Sequence, residues 1–138
     1  MNTLANANRN ASGAQAGYTM ALARFLMALI FLLSGLGKIG ALEATRGYME
    51  AMHLPGILLW PTIVFEVGSS VLIILGWRTR IVAALVAAFC LVSAAIFHTN
   101  FADQIQQIMF LKNVSMAGGF LVLAVVGAGP VSLDGRVR

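Results

Sequence analysis

Few side chains in this sequence could do chemistry, and the first is a lone acid in an apolar stretch. Residues 56–76 are almost wholly apolar and carry one carboxylate, Glu66, near their middle. A helix rises about 1.5 Å per residue, so Glu66 would lie about 15 Å from either end, at the midplane of a hydrocarbon layer about 30 Å thick. A charge is costly at that depth. We therefore expect Glu66 to have a basic partner or to mark a functional site.

The predicted partner of Glu66 is Arg24, which lies inside the first apolar run. A guanidinium keeps its proton and offers a fork of donors to a carboxylate. Lys112 is the second choice. The sequence leaves two interpretations of a Glu66–Arg24 polar centre open: a pair that only fixes helix packing, or a group that handles a proton or a ligand.

A second set of polar residues lies at or near the ends of the apolar runs, and it is predicted to gather at an outer mouth of the protein: Lys38, His98, Lys112 and Asn113. His98 could relay a proton, ligate a metal or hydrogen-bond a quinone oxygen, although a histidine beside water at a helix end is more often a plain interfacial residue. His53, in a loop, is a weaker candidate. This set could bind a quinone headgroup or a small anion.

Other kinds of site find no support in the sequence. Cys90 is the sole cysteine, so the chain has no internal disulfide, CxxC pair or cysteine-ligated metal site. The two histidines lack the acidic or methionine neighbours of a haem or copper site, so no metal is predicted. Walker, dinucleotide-binding, HExxH and GxSxG motifs are also absent, which argues against nucleotide-driven transport and hydrolase chemistry.

The elements that must position these residues are membrane helices. Hydrophobic residues make up 59% of the chain, charged residues 10%, and the mean hydropathy is +0.88, whereas a soluble domain is about a quarter charged. The net charge of +4 comes from scattered residues with no basic face, so nucleic acid is not a predicted partner. The lipid bilayer is the predicted surrounding of the chain.

Four apolar runs predict an all-α fold, a transmembrane four-helix bundle. The helices are expected at about 18–38, 56–76, 81–98 and 108–128, which together form a membrane domain over 18–130. Residues 1–17 are predicted to be a disordered tail and 131–138 a short polar tail. Residues 39–55 and 99–107 have mixed patterns that indicate interfacial segments.

The placement of basic residues predicts the orientation of the bundle, because cytoplasmic flanks carry an excess of lysine and arginine. The end with the termini and the 76–80 turn carries six: Arg9, Arg24, Arg78, Arg80, Arg136 and Arg138. The opposite end carries Lys38, Arg46 and Lys112, diluted by acids. Both termini are therefore predicted to be cytoplasmic.

Several segments, taken together and in order, resemble the DoxX family over about residues 20–134. They are RFLMALIFLLSGLGKIG (24–40), TRGYMEAMHLPG (45–56), FEVGSSVLIILGWRTR (65–80), FHTNF (97–101) and FLKNVSMAGGFLVLAVVGAGPVSLD (110–134). The positions that match the family pattern are Arg24, Lys38, Glu66, Gly76, His98, Lys112, Asn113 and Gly119. The resemblance implies a small four-helix protein of the bacterial cytoplasmic (inner) membrane.

The resemblance also implies a function, since the family takes its name from a relative of the membrane subunit of a thiosulfate:quinone oxidoreductase. We expect this chain to be a membrane or quinone-side subunit of a redox system and to work with a soluble redox protein. Any enzyme activity would then be that of a quinone-linked oxidoreductase of which this chain is one subunit. The alternative is a non-catalytic membrane adaptor that holds a soluble partner. Small-solute transport is a weaker possibility, because one four-helix unit without an internal repeat is a poor alternating-access machine.

Overall fold

The computed structural model describes the backbone of residues 2–137 and the side chains of residues 13–137. Within that range the chain is helical, and six α-helices follow one another. They are α1 (Asn2–Gly40), α2 (Leu42–Ala51), α3 (Leu59–Leu75), α4 (Thr79–Phe97), α5 (Gln104–Val126) and α6 (Leu133–Arg136), with a 3-10 turn at Gly56–Leu58 before α3.

Four segments are long and apolar enough to cross a bilayer: 13–40, 56–75, 79–97 and 104–126. Each has at least the nineteen or so residues that a crossing of about 30 Å requires. The prediction of an all-α, four-helix membrane fold is therefore confirmed.

The bundle is built from two antiparallel helix pairs. Helix α1 packs along α3, and α4 packs along α5, while contacts between the two pairs are fewer. The main core forms where the pairs meet, around Phe31, Ile73, Val86, Cys90 and Phe120. Phe31 meets Phe120 edge-on, with ring centroids 5.6 Å apart. Cys90 is fully buried and serves as a small apolar core residue.

The connection between α3 and α4 is short because Gly76 turns the chain sharply. Gly76 adopts a left-handed φ of 69° after the last turn of α3, a conformation that favours glycine. A β-carbon there would also collide with Ser132 and Arg24. The N–H groups of Arg78, just before α4, and of Thr79, its first residue, then donate to the Asp134 carboxylate at 2.8 Å and 2.9 Å. The chain terminus thus caps α4.

The bounds of all four long helices differ from the predicted ones. The end of α1 and the start of α3 move by two or three residues, and the starts of α1 and α5 differ most. Helix α1 begins at Asn2 and so includes most of the segment 1–17 for which the sequence predicts a disordered tail. Within it, Gly17 is buried and lies against Pro130 and Val131, a tertiary contact that local composition does not reveal. Helix α5 begins at Gln104, because Asp103 accepts a hydrogen bond from the Ile105 N–H and caps it. The predicted interfacial segment 99–107 is therefore partly the start of α5.

Candidate functional site

The buried acid pairs with Lys38. The Lys38 ammonium lies 2.9 Å from Glu66 Oε2 and 3.0 Å from Oε1, and it also donates to Ser34 Oγ at 2.7 Å. Ser34 in turn donates to Glu66 Oε1 at 3.3 Å. The Glu66 side chain is only 5% exposed. Three side chains thus satisfy one another where an isolated charge would be costly.

The register of α1 against α3 explains this pairing. Gly35 lets the two backbones approach, since a β-carbon there would come within 2.7 Å of Val67 Cγ2 and 3.3 Å of Glu66 Cβ. Glu66 therefore lies level with Ser34 and Gly35. Lys38 is one helical turn further along α1 than Ser34, and its long side chain reaches back along the helix to the acid.

The predicted Glu66–Arg24 pair does not form. Arg24 lies ten residues before Ser34 on α1, which is about 15 Å along a helix, and its guanidinium donates to backbone carbonyls instead. The acceptors are Ala128 O, Val131 O at 2.8 Å and Ile74 O at 3.4 Å. Arg24 is only 2% exposed. Through these hydrogen bonds Arg24 connects α1 to the segment after α5 and to the end of α3. These contacts lie at the end of the bundle that carries the termini. We call this end the terminal end.

A cavity of about 430 Å³ lies beside the Lys38–Glu66 pair, at the end of the bundle opposite the terminal end. We call it the outer cavity. Its wall takes residues from both helix pairs and from α2. All four residues predicted for an outer mouth line it together with Glu66: Lys38, His98, Lys112 and Asn113. The structure thus brings these predicted site residues together and leaves Arg24 outside.

The polar groups of the cavity differ in how fully they are engaged. His98 Nδ1 lies 2.9 Å from Gln106 Oε1, and His98 Nε2 has no hydrogen-bond partner among residues 13–137. Asn113 donates to Met109 O at 2.9 Å. The ammonium of Lys112, an exposed residue, has one hydrogen-bond partner among residues 13–137, the Met109 thioether sulfur at 3.1 Å, which is a weak acceptor. Because Glu66 offsets Lys38, Lys112 carries the uncompensated charge of the cavity.

The apolar wall of the cavity is partly aromatic, and sequence reasoning missed it. Phe31 and Phe89 contact each other with centroids 6.3 Å apart, and Tyr48 stacks on Phe97 at 5.6 Å. All four rings line the cavity. Tyr48 comes from α2, whose mixed pattern indicated only an interfacial helix. Ser34 was also missed, although its place one turn before Lys38 was a usable signal.

The chemistry available to this site is recognition of a small amphipathic molecule. A cavity of this size is typical of ligand sites, which are mostly apolar with a few placed polar groups. The donors of Lys112 and Asn113 suit carbonyl or anionic oxygens. Among residues 13–137, no three histidine, cysteine or acidic side chains lie close enough together to hold a metal ion.

Comparison with known proteins identifies the family. The DoxX family model matches residues 19–99. Inner membrane protein YqjF of Escherichia coli (strain K12) is 43% identical over 113 residues, covering 82% of this chain and 87% of that protein. Inner membrane protein YphA of the same organism is 38% identical over 131 residues, covering 90% of this chain and 94% of that protein. No solved structure matches significantly. With its four apolar helices, the chain belongs to the DoxX family and is a multi-pass inner-membrane protein.

Proposed function

We propose that this protein is the membrane subunit of a redox system and that it binds a quinone headgroup in the outer cavity. The observation that carries the proposal is the composition of that cavity. It combines aromatic and aliphatic walls with a cluster of polar side chains, and residues of all four helices that are long and apolar enough to cross a bilayer line it. In this proposal a soluble partner supplies the electrons, and the chain supplies the binding place.

The size and the chemistry of the cavity support a quinone. About 430 Å³ falls within the range of roughly 300–1,000 Å³ found for small-molecule sites. The planar ring would lie among Phe31, Phe89 and the Tyr48–Phe97 stack, where aromatic faces favour offset or edge-on contact. Its carbonyl oxygens need donors, and the ammonium of Lys112 and the amide of Asn113 supply them.

The Lys38–Glu66 pair has a distinct part in this proposal. Its charges neutralise each other and its donors are largely taken up by Ser34 and Glu66. The pair therefore keeps one side of the cavity polar without adding net charge. Lys112, which has no ion-pair partner among the described residues, is the group that would hold an oxygen of the ligand.

The direct test is analysis of the protein purified in a mild detergent. Extraction of lipid-soluble cofactors should yield a bound quinone, and a short-chain ubiquinone analogue should bind to the emptied protein in equilibrium dialysis. Purified protein that holds no quinone and does not bind the analogue, but carries a stoichiometric protein partner, would establish the adaptor function in its place.

A matched pair of variants locates the binding. Lys112→Met should weaken binding of the analogue about tenfold, since methionine has no N–H donor and a hydrogen bond from a charged donor contributes about 1.5 kcal/mol or more. Arg46→Met removes the same charge at the same end of the bundle, from a side chain outside the cavity wall, and this variant should bind the analogue normally. Equal affinities for the two variants would contradict a site at Lys112.

A further inference from the structure

A second concave surface lies at the terminal end, far from the outer cavity and sharing no residue with it. It has a volume of about 750 Å³ and is lined by the turn and first residues of α4, by the segment 126–130, and by the chain terminus near Asp134. We call it the terminal groove. Nothing in the proposed quinone site uses it.

Arginine dominates the charge of this groove. Arg78 and Arg80 line it, and Arg136 is exposed two residues beyond Asp134. Asp134 is the one acidic residue that the sequence places at this end, and both of its carboxylate oxygens accept backbone N–H groups from the start of α4. The groove therefore keeps a positive excess.

The two lining arginines are held in place by the protein. Arg80 donates to the carbonyls of Ala124, Val125 and Val126 at the end of α5, which fixes its guanidinium between the two helices. Arg78 has a left-handed φ of 48°, and its guanidinium lies over the Trp77 ring, 5.9 Å from the centroid. Arg78 forms no ion pair among residues 13–137, so its side-chain donors remain available to an anion.

The groove continues into the lipid-facing surface of the bundle. Ile81 and Val126 line it, and Leu85 and Val122 lie about one turn further along the same helices; all four side chains are more than half exposed. Trp77, about half exposed, lies where an indole anchors a span at the membrane surface. The basic groove is thus continuous with an exposed apolar surface of α4 and α5. It lies at one end of these two membrane helices, where we expect lipid phosphate groups to meet acyl chains.

We propose that the terminal groove binds an anionic phospholipid. The headgroup phosphate would lie against Arg78 and Arg80, and one acyl chain would follow Ile81 and Val126 along α4 and α5. Charge complementarity selects an anionic headgroup over a zwitterionic one, because basic pockets between membrane helices favour acidic lipids. The apolar continuation selects a lipid over a free anion.

The two tryptophans provide a built-in test, because they lie at opposite ends of the bundle. Trp77 borders the groove, and Trp60 lies in the first turn of α3 at the other end. The full chain would be reconstituted in phosphatidylcholine vesicles that contain a fixed fraction of brominated phosphatidylglycerol or brominated phosphatidylcholine. Trp60→Phe leaves Trp77 as the reporter, and Trp77→Phe leaves Trp60 as the control.

Brominated phosphatidylglycerol should quench Trp77 more strongly than brominated phosphatidylcholine does, as expected for about fivefold enrichment of the anionic lipid per arginine. Trp60 should show no such preference. In the Trp77 reporter, Arg78→Gln should reduce the preference and Arg46→Gln should leave it unchanged. Equal quenching of Trp77 by the two lipids would overturn the proposal, and so would loss of the preference on adding excess inorganic phosphate.

Discussion

At the scale of single residues, a partly buried lysine and a buried arginine on α1 have different functions. Lys38 forms an ion pair with the carboxylate of Glu66. Arg24 donates hydrogen bonds to backbone carbonyls near the ends of helices. The chemistry of each side chain is compatible with its contacts. An ammonium is a compact charge that meets one acid, whereas a planar guanidinium can donate to several fixed carbonyls at once.

The Lys38–Glu66 pair should show a large energetic coupling. We expect Lys38→Met to lower the free energy of unfolding by about 3 kcal/mol, because it leaves a buried carboxylate unpaired. A double-mutant cycle with Glu66→Gln should give a coupling of about 1–3 kcal/mol. The measurement is denaturant unfolding in detergent micelles.

The control for this cycle is the exposed pair of Arg46 and Glu43, 3.4 Å apart on α2. Solvent screens such a pair, so its coupling should be below about 0.5 kcal/mol. A Lys38–Glu66 coupling as small as that of the control would mean that the contact is not a stable ion pair.

Arg24 should matter for the chain terminus and not for the acid. Arg24→Met removes charged donors from the carbonyls of Ala128 and Val131, and we expect amides in 127–137 to exchange faster, with a loss of local stability of about 2–3 kcal/mol. Arg24→Lys should be intermediate, because it keeps the charge but loses the fork. If Glu66→Leu restored the stability of Arg24→Met, Arg24 would have to be the partner of Glu66 after all.

At the scale of elements, the close approach of α1 and α3 depends on Gly35 and not on the neighbouring Gly37. Gly35 faces Val67 at a distance that leaves no room for a side chain, whereas a β-carbon at Gly37 would meet nothing within 4 Å. The two positions are two residues apart on the same helix and so provide a matched comparison.

We expect Gly35→Leu to destabilise the bundle and Gly37→Leu to be neutral or slightly stabilising. Overpacking typically costs about 1–3 kcal/mol, while replacing a glycine inside a helix gains up to about 1 kcal/mol. Thermal unfolding in detergent measures both. Because Gly35 also sets the register, Gly35→Leu should weaken the Lys38–Glu66 pair as well. Equal stability of the two leucine variants would show that α1 and α3 do not meet at Gly35.

At the scale of the whole molecule, the two helix pairs pack well at the core and enclose the outer cavity between them. The terminal end is closed by Arg24, Arg80 and Asp134, which join the helix ends through backbone groups. Polar contacts thus join the helix ends at the terminal end, and the outer cavity lies at the opposite end of the bundle.

The orientation of the bundle remains a prediction from charge, and it can be measured directly. The terminal end carries most of the arginines, so we expect it to face the cytoplasm. A carboxy-terminal green fluorescent protein fusion should fluoresce, and a carboxy-terminal alkaline phosphatase fusion should be inactive. The reverse pair of results would place the outer cavity on the cytoplasmic side.

The sequence by itself determined the number of membrane helices, their antiparallel order and most of the outer cavity's polar residues. These follow from length, hydropathy and charge, which are properties of each segment alone. His98 lies at the end of the third apolar run, and Lys112 and Asn113 lie near the start of the fourth, so an antiparallel order brings all three to the same end of the bundle. The cluster therefore needed no knowledge of packing.

Only the tertiary structure decided which cation forms an ion pair with Glu66. If the predicted helix ends at 38 and 56 are placed level, Glu66 lies opposite Ala28, one turn from Arg24. When the observed ends, Gly40 and Leu59, are placed level instead, Glu66 lies opposite Leu33. The observed contact is with the next residue, Ser34, which is one turn from Lys38. A few residues at a helix end change the register by more than a helical turn, and that register is set by the contact of Gly35 with Val67. Interhelical contacts arise from packing, which no single segment encodes.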